Sequence, residues 1–198
     1  MTMQKSMIIR SSIWVLIIVL ALASCKTDYE KVVEREMATG ERQDSLFLGL
    51  RLGMSSKEFY ARCWEMNKTQ LIRQGYTNTS VLLRLNHELR DTADMNFYPT
   101  FENDSIYDMQ IYIGYLSWAP WNKNLVYDTL AKDVMNMMNK WYGGDFVRIK
   151  SNDTIPIYAK VTRNRRILIG KQDEGRVRVI ITDMIAERRK QQKKKDEK

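Results

Sequence analysis

The stretch Tyr107-Asp108-Met109-Gln110-Ile111-Tyr112-Ile113-Gly114-Tyr115 decides the fold of this chain. Tyr107, Met109, Ile111, Ile113 and Tyr115 alternate with Asp108, Gln110, Tyr112 and Gly114. A period of two held over nine residues belongs to a strand with one face in a core and the other outside it. Upstream, Glu102 to Asp104 reads as a turn, Met95, Phe97 and Phe101 alternate with polar neighbours, and Val81 to Asn86 is a compact apolar run. Those three segments predict three strands joined by short turns, which favours antiparallel pairing. Downstream of Pro120 the period changes. Val126, Leu130, Val134, Met137, Met138 and Trp141 fall at helical spacing on one stripe, and Gly143-Gly144 stops it.

The same order occurs on both sides of this helix. Before the first strands, Ser55 and Glu58 have the spacing of a capping box, with Met54 and Phe59 at the positions of a hydrophobic staple. Phe59 and Cys63 then share a face, as do Tyr60 and Trp64, so a helix is predicted from Ser56 to about Met66. After the second helix come Phe146–Lys150, Ile155–Val161 running on towards Ile169 through a turn at Arg163–Arg165, and Arg176–Thr182. Two helix-plus-three-strand units of about 60 residues result. They predict an α+β fold, an antiparallel sheet with helices packed on one face. Leu46 to Gly53 reads as a short strand or extended lead-in, giving a globular domain over residues 46–185.

The N-terminal segment has a different character. Lys5 and Arg10 precede an apolar run from Ile13 to Ala23, eleven residues long and too short to span a bilayer. Leu22-Ala23-Ser24-Cys25 closes it and resembles the bacterial lipobox. The resemblance implies a signal peptide over residues 1–24, removed before Cys25, and lipidation of the Cys25 thiol. One acyl chain holds a protein marginally on a membrane, whereas two or three hold it firmly. Residues 25–45 read as the lipidated cysteine and a polar tether, and residues 186–198 as a basic disordered tail. Position 26 is Lys rather than Asp. By resemblance to enteric lipoproteins, this implies the outer membrane rather than the inner one.

Leu52-Gly53-Met54-Ser55, with Phe59 beyond, resembles the opening of SmpA/BamE-like outer-membrane lipoproteins and of beta-lactamase-inhibitor-like proteins. The resemblance covers about a dozen residues. It implies helices against a small antiparallel sheet and a role in binding other proteins.

Charge argues against a nucleic-acid partner. Of a net charge of +8, the leader contributes +2 and the last twelve residues +4, so the domain between them carries only +2. Catalytic and metal chemistry find little support. His87 is the sole histidine, Cys63 the sole thiol besides Cys25, and neither a phosphate-binding loop nor a dinucleotide fingerprint is present. No catalytic residue, metal ligand or cofactor is assigned.

Two features are candidate binding surfaces. Trp118 and Trp121 flank Ala119-Pro120 between strand and helix, where they either plug the end of the core or face a partner. Lys160, Arg163, Arg165, Arg166, Lys171, Arg176 and Arg178 form a run of cations on neighbouring strands, either a solvated face or a surface for anionic glycan or lipid. The expectation is a membrane-anchored envelope lipoprotein with a non-enzymatic protein-binding or assembly role. The alternative is an envelope hydrolase or glycan-binding accessory.

Overall fold

The computed structural model describes residues 26–77, 79–149 and 155–197. The apolar leader and Cys25 lie outside the described residues. The fold is α+β, built on one eight-stranded sheet in which every neighbouring pair is antiparallel.

In chain order the elements are α1 (Asp28–Ala38), α2 (Ser56–Lys68), β1 (Ile72–Gln74), β2 (Val81–Leu85), β3 (Ala93–Glu102), β4 (Ser105–Tyr115), α3 (Tyr127–Tyr142), β5 (Val147–Ile149), β6 (Ile157–Thr162), β7 (Arg165–Asp173), β8 (Arg176–Asp183) and α4 (Met184–Asp196). The sheet order β1-β2-β3-β4-β8-β7-β6-β5 places the last strand of each half at the centre. Each unit is therefore one helix followed by four strands rather than three. β1 has only three residues, too few for a period to show, and the Ile155–Ile169 stretch is folded into β6 and β7 by a turn in which Arg163 takes a positive φ of 56°.

Local chemistry explains the elements. The Ser55 and Glu58 side chains satisfy each other's backbone donors at the start of α2. Asn103 and Asp104 both take positive φ between β3 and β4, the geometry of a tight hairpin turn. The Asp104 carboxylate then accepts from the Ser56 N–H at 3.0 Å, fastening that hairpin to the helix.

The core lies between the sheet and the helices α2 and α3. Phe59 and Met66 from α2, with Leu130, Val134, Met137 and Met138 from α3, are buried together with Met95, Phe97, Met109, Ile111, Ile113, Val177, Val179 and Ile181. Cys63 and Val126 are only half-buried, Val126 because it is the residue that caps α3 rather than part of its stripe. Leu46 to Gly53 is not a strand but a tight loop, with Leu48 and Gly49 at positive φ. Leu46, Phe47, Leu50 and Leu52 are buried there, and the Phe47 ring meets Phe97 edge-on at 4.9 Å.

Both segments expected to lack structure are helical. Thr27 and Glu30 form a capping box that opens α1, which lies against β5 and β6 on the sheet face opposite α2 and α3. α4 is capped by the Asp183 carboxylate, which accepts from the Ile185 and Ala186 N–H groups. Lys190 of α4 reaches the Tyr107 hydroxyl at 3.0 Å and Glu102 at 3.1 Å.

Candidate functional site

The strands that bury Ile111 and Val179 inward turn a second set of residues to the other face. The register aligns Asn96 with Tyr112, Tyr98 with Gln110, Tyr112 with Arg178 and Gly114 with Arg176. α2 and α3 pack on the opposite side, and of this set only Tyr98 reaches a helix, its ring 5.9 Å from Phe59 of α2. The result is a groove of about 870 Å³ across the centre of the sheet.

One wall of the groove is the loop after β1. Gly75 has room only for hydrogen, since a Cβ there would lie 2.2 Å from the Ser80 hydroxyl and 2.6 Å from the Asn96 amide. This close turn brings Tyr76, 73% exposed, over the groove. The Tyr76 hydroxyl donates to Asp94, which also accepts from Arg84 Nε at 2.5 Å. The opposite wall is Trp118 with residues 172–176. A Cβ on Gly175 would lie 2.7 Å from the Trp118 ring, so the bare backbone there is what seats the indole.

The floor carries amides and phenols. Arg178 Nη2 donates to Gln110 Oε1 at 2.7 Å, and its guanidinium lies 5.9 Å from the Tyr112 ring centre. Beyond Arg178, a second depression of about 480 Å³ is lined by Ile157, Leu168, Gly170 and Ile180. The arginine thus stands between an aromatic basin and an aliphatic one on the same sheet face.

The carboxylates at the groove already have cations. Asp94 is held by Arg84, and Asp173 lies 2.6 Å from Arg176. The cost of partly burying Asp173 is outweighed by Arg176 and the Gly175 N–H, which hold it below the usual carboxylate range. Burial pushes the Cys63 thiol up to about 11, and at the groove margin the bond to the Tyr60 hydroxyl, with burial, pushes Tyr98 up to about 12. Both shifts move away from nucleophile chemistry at neutral pH. His87 is exposed in the turn after β2. Among the described residues, no three His, Cys, Asp or Glu side chains converge as a metal site.

The candidate residues read from the sequence separate into groups. Trp118, 37% exposed, forms the groove rim, and Trp121, 83% exposed, projects beyond it. Arg176 and Arg178 belong to the groove and its boundary. Arg166 is paired with Glu187 at 2.7 Å, and Arg163 with Glu41 at 2.6 Å. Arg165 is buried on the helix side, its guanidinium 4.5 Å from the Tyr142 ring and bonded to the Ser45 carbonyl at 2.5 Å. Lys160 is buried as well. The cations therefore do not form one solvated face. Tyr76, Asn96, Tyr98, Gln110 and Tyr112 were not among the residues singled out from the sequence, although alternation already turned Gln110 and Tyr112 away from the core.

Compared with known proteins, the chain matches no family model, no curated protein and no solved structure.

Proposed function

We propose that this chain is an envelope lipoprotein, anchored through lipid on Cys25 to the outer membrane, that binds a partner protein in the groove without performing catalysis on it. The observation that carries the binding role is the groove itself. It spans the uncovered centre of the sheet, its acids are already paired with cations, its rims present Tyr76 and Trp118, and the exposed Trp121 lies three residues beyond. Aromatic rings on a rigid frame supply large contact area at small entropic cost, which is why they dominate binding hot spots. The lipobox Leu22-Ala23-Ser24-Cys25 supports the anchor.

Two experiments test the reading separately. Metabolic labelling with palmitate is expected in the parent and lost in Cys25→Ala; a variant still labelled refutes the anchor. Partner capture from native envelope is expected to fall for Tyr112→Ala and Trp121→Ala but not for Trp64→Ala. Trp64 is another exposed indole, 64% exposed, on α2 away from the groove. Equal capture by all three variants refutes the groove.

A glycan-binding role is the second reading. Asn96 and Gln110 place amides beside the Tyr76 and Tyr112 rings, and ring stacking with flanking amides suits a sugar. Calorimetric titration with soluble envelope glycan fragments separates the two readings.

A further inference from the structure

The C-terminal helix carries a surface that the groove does not use. Of the residues that follow Ala186 in α4, none is aliphatic or aromatic, and Arg188, Arg189, Lys193, Lys194 and Lys195 are exposed. None of these five forms an ion pair among the described residues. The acids within the helix are engaged otherwise: Glu187 by Arg166, and Asp196 by Gln192 at 2.8 Å. The helix is also held in place, by its Asp183 cap and by Lys190 on Tyr107 and Glu102. Its cations are thus presented from a fixed root.

The position of this helix gives the charge a direction. Burial pulls the Arg166 guanidinium down, but hydrogen bonds with Glu187 of α4 and Tyr29 of α1 outweigh it and leave the group raised. Arg166 of β7 bonds Glu187 in the first turn of α4 at 2.7 Å, and α1 packs across the adjoining strand β6. α1 begins at Asp28, only three residues after Cys25. The strand under α1 and the strand that roots α4 are therefore neighbours on one face of the sheet.

We propose that α4 is a second membrane contact, a helix that lies against an anionic lipid surface beside the acyl anchor. The inference rests on the reading of Cys25 as lipidated. Charge alone is the means, since a helix without an apolar stripe has nothing to insert and no seam for a partner helix. Cations near an anionic bilayer each strengthen attachment by roughly fivefold, and the effect fades within about 10 Å at ordinary salt. A lipid anchor joined by a polybasic segment holds far longer than a single acyl chain.

The test uses the full acylated chain loaded on donor vesicles, with transfer to acceptor vesicles followed over time. Donors of phosphatidylcholine alone are compared with donors holding about one-third phosphatidylglycerol. Transfer from the anionic donors is expected to be at least ~10-fold slower, and the difference to vanish at ~1 M salt. Changing Arg188, Arg189, Lys193, Lys194 and Lys195 to Gln, which forms helix about as readily, is expected to equalise the two rates. Equal rates for the parent chain overturn the proposal. So does binding to soluble dextran sulfate with no preference for anionic donors, which would make α4 a polyanion site. Retention on the neutral donors reports the acyl anchor alone, so a failure of the anchor is seen apart from a failure of the helix.

Discussion

The two faces of the sheet are made by the same strands in the same register, one residue out of step, and they do opposite work. Towards α2 and α3, β4 and β8 present Met109, Ile111, Ile113, Val177, Val179 and Ile181, all inaccessible to solvent. On the other face the same strands present Gln110, Tyr112, Gly114, Arg176 and Arg178. Stability and recognition are thus divided by parity along the strand. A slip of one residue would exchange the two sets completely, which is why the aliphatic face also fixes the geometry of the groove.

The sharpest way to break the aliphatic face is Leu130→Ala. Leu130 is fully buried in the first turn of α3, and its truncation is expected to cost about 2–5 kcal/mol in denaturant unfolding. A cost below about 1 kcal/mol would mean that the face is not the cohesive core described. The open face is expected to respond in the reverse manner. Trp121→Ala should weaken partner capture by about 2 kcal/mol and change stability by less than about 0.5 kcal/mol. Trp118→Ala should affect both quantities, because its ring also packs on the Gly175 backbone. Large falls in melting temperature for both variants would turn the loop into a core plug.

The smallest effect sharpens the contrast at the margin of the helix side. Asp133 of α3 accepts from Arg90 at 2.8 Å and from the Tyr115 hydroxyl at 2.6 Å. The Arg90 bonds, joined by that of Tyr115, win over burial and lower the carboxyl from 3.8 to about 2. A carboxyl lowered by folding stabilises the native state above its unfolded value and loses that contribution in acid. Stability is therefore expected to fall as pH drops from about 4 towards 2, by about 1–2 kcal/mol after solvent screening at the half-exposed Arg90. Asp133→Asn should flatten that part of the acid limb. Asp108, on the groove side, has the opposite sign, because burial raises its carboxyl and protonation relieves the native state.

Long periodic segments were legible in the sequence. The α3 stripe, the α2 cap and the alternation of β4 each repeat a physical pattern often enough to be read. β1 was not, since its three residues pair with β2 through tertiary context alone. α1 and α4 were missed because a search for apolar stripes passes over charged helices. Yet Thr27 and Glu30 carry the same cap spacing that revealed α2 at Ser55 and Glu58. Arg165 was misplaced for a different reason. The turn at Arg163 and Asn164 sets its side chain towards Tyr142 and Ser45, and alternation along one strand does not reveal how a hairpin turns. The groove was half legible: parity turned Gln110 and Tyr112 outward, but only the position of α1 over β5 and β6 shows which part of that face stays open.

The seam between β4 and β8 has a consequence for how the molecule reaches its native state. The residues it joins are far apart along the chain; Gln110 and Arg178, bonded across it, are separated by 68 positions. Closing so wide a loop costs entropy before any contact repays it, and such pairings slow the search for structure. β1 to β4 follow one another closely along the chain, so they can assemble early while β4 waits with one edge unpaired. That edge is satisfied only when β8 has been made, so the last strand to leave the ribosome completes the middle of the sheet.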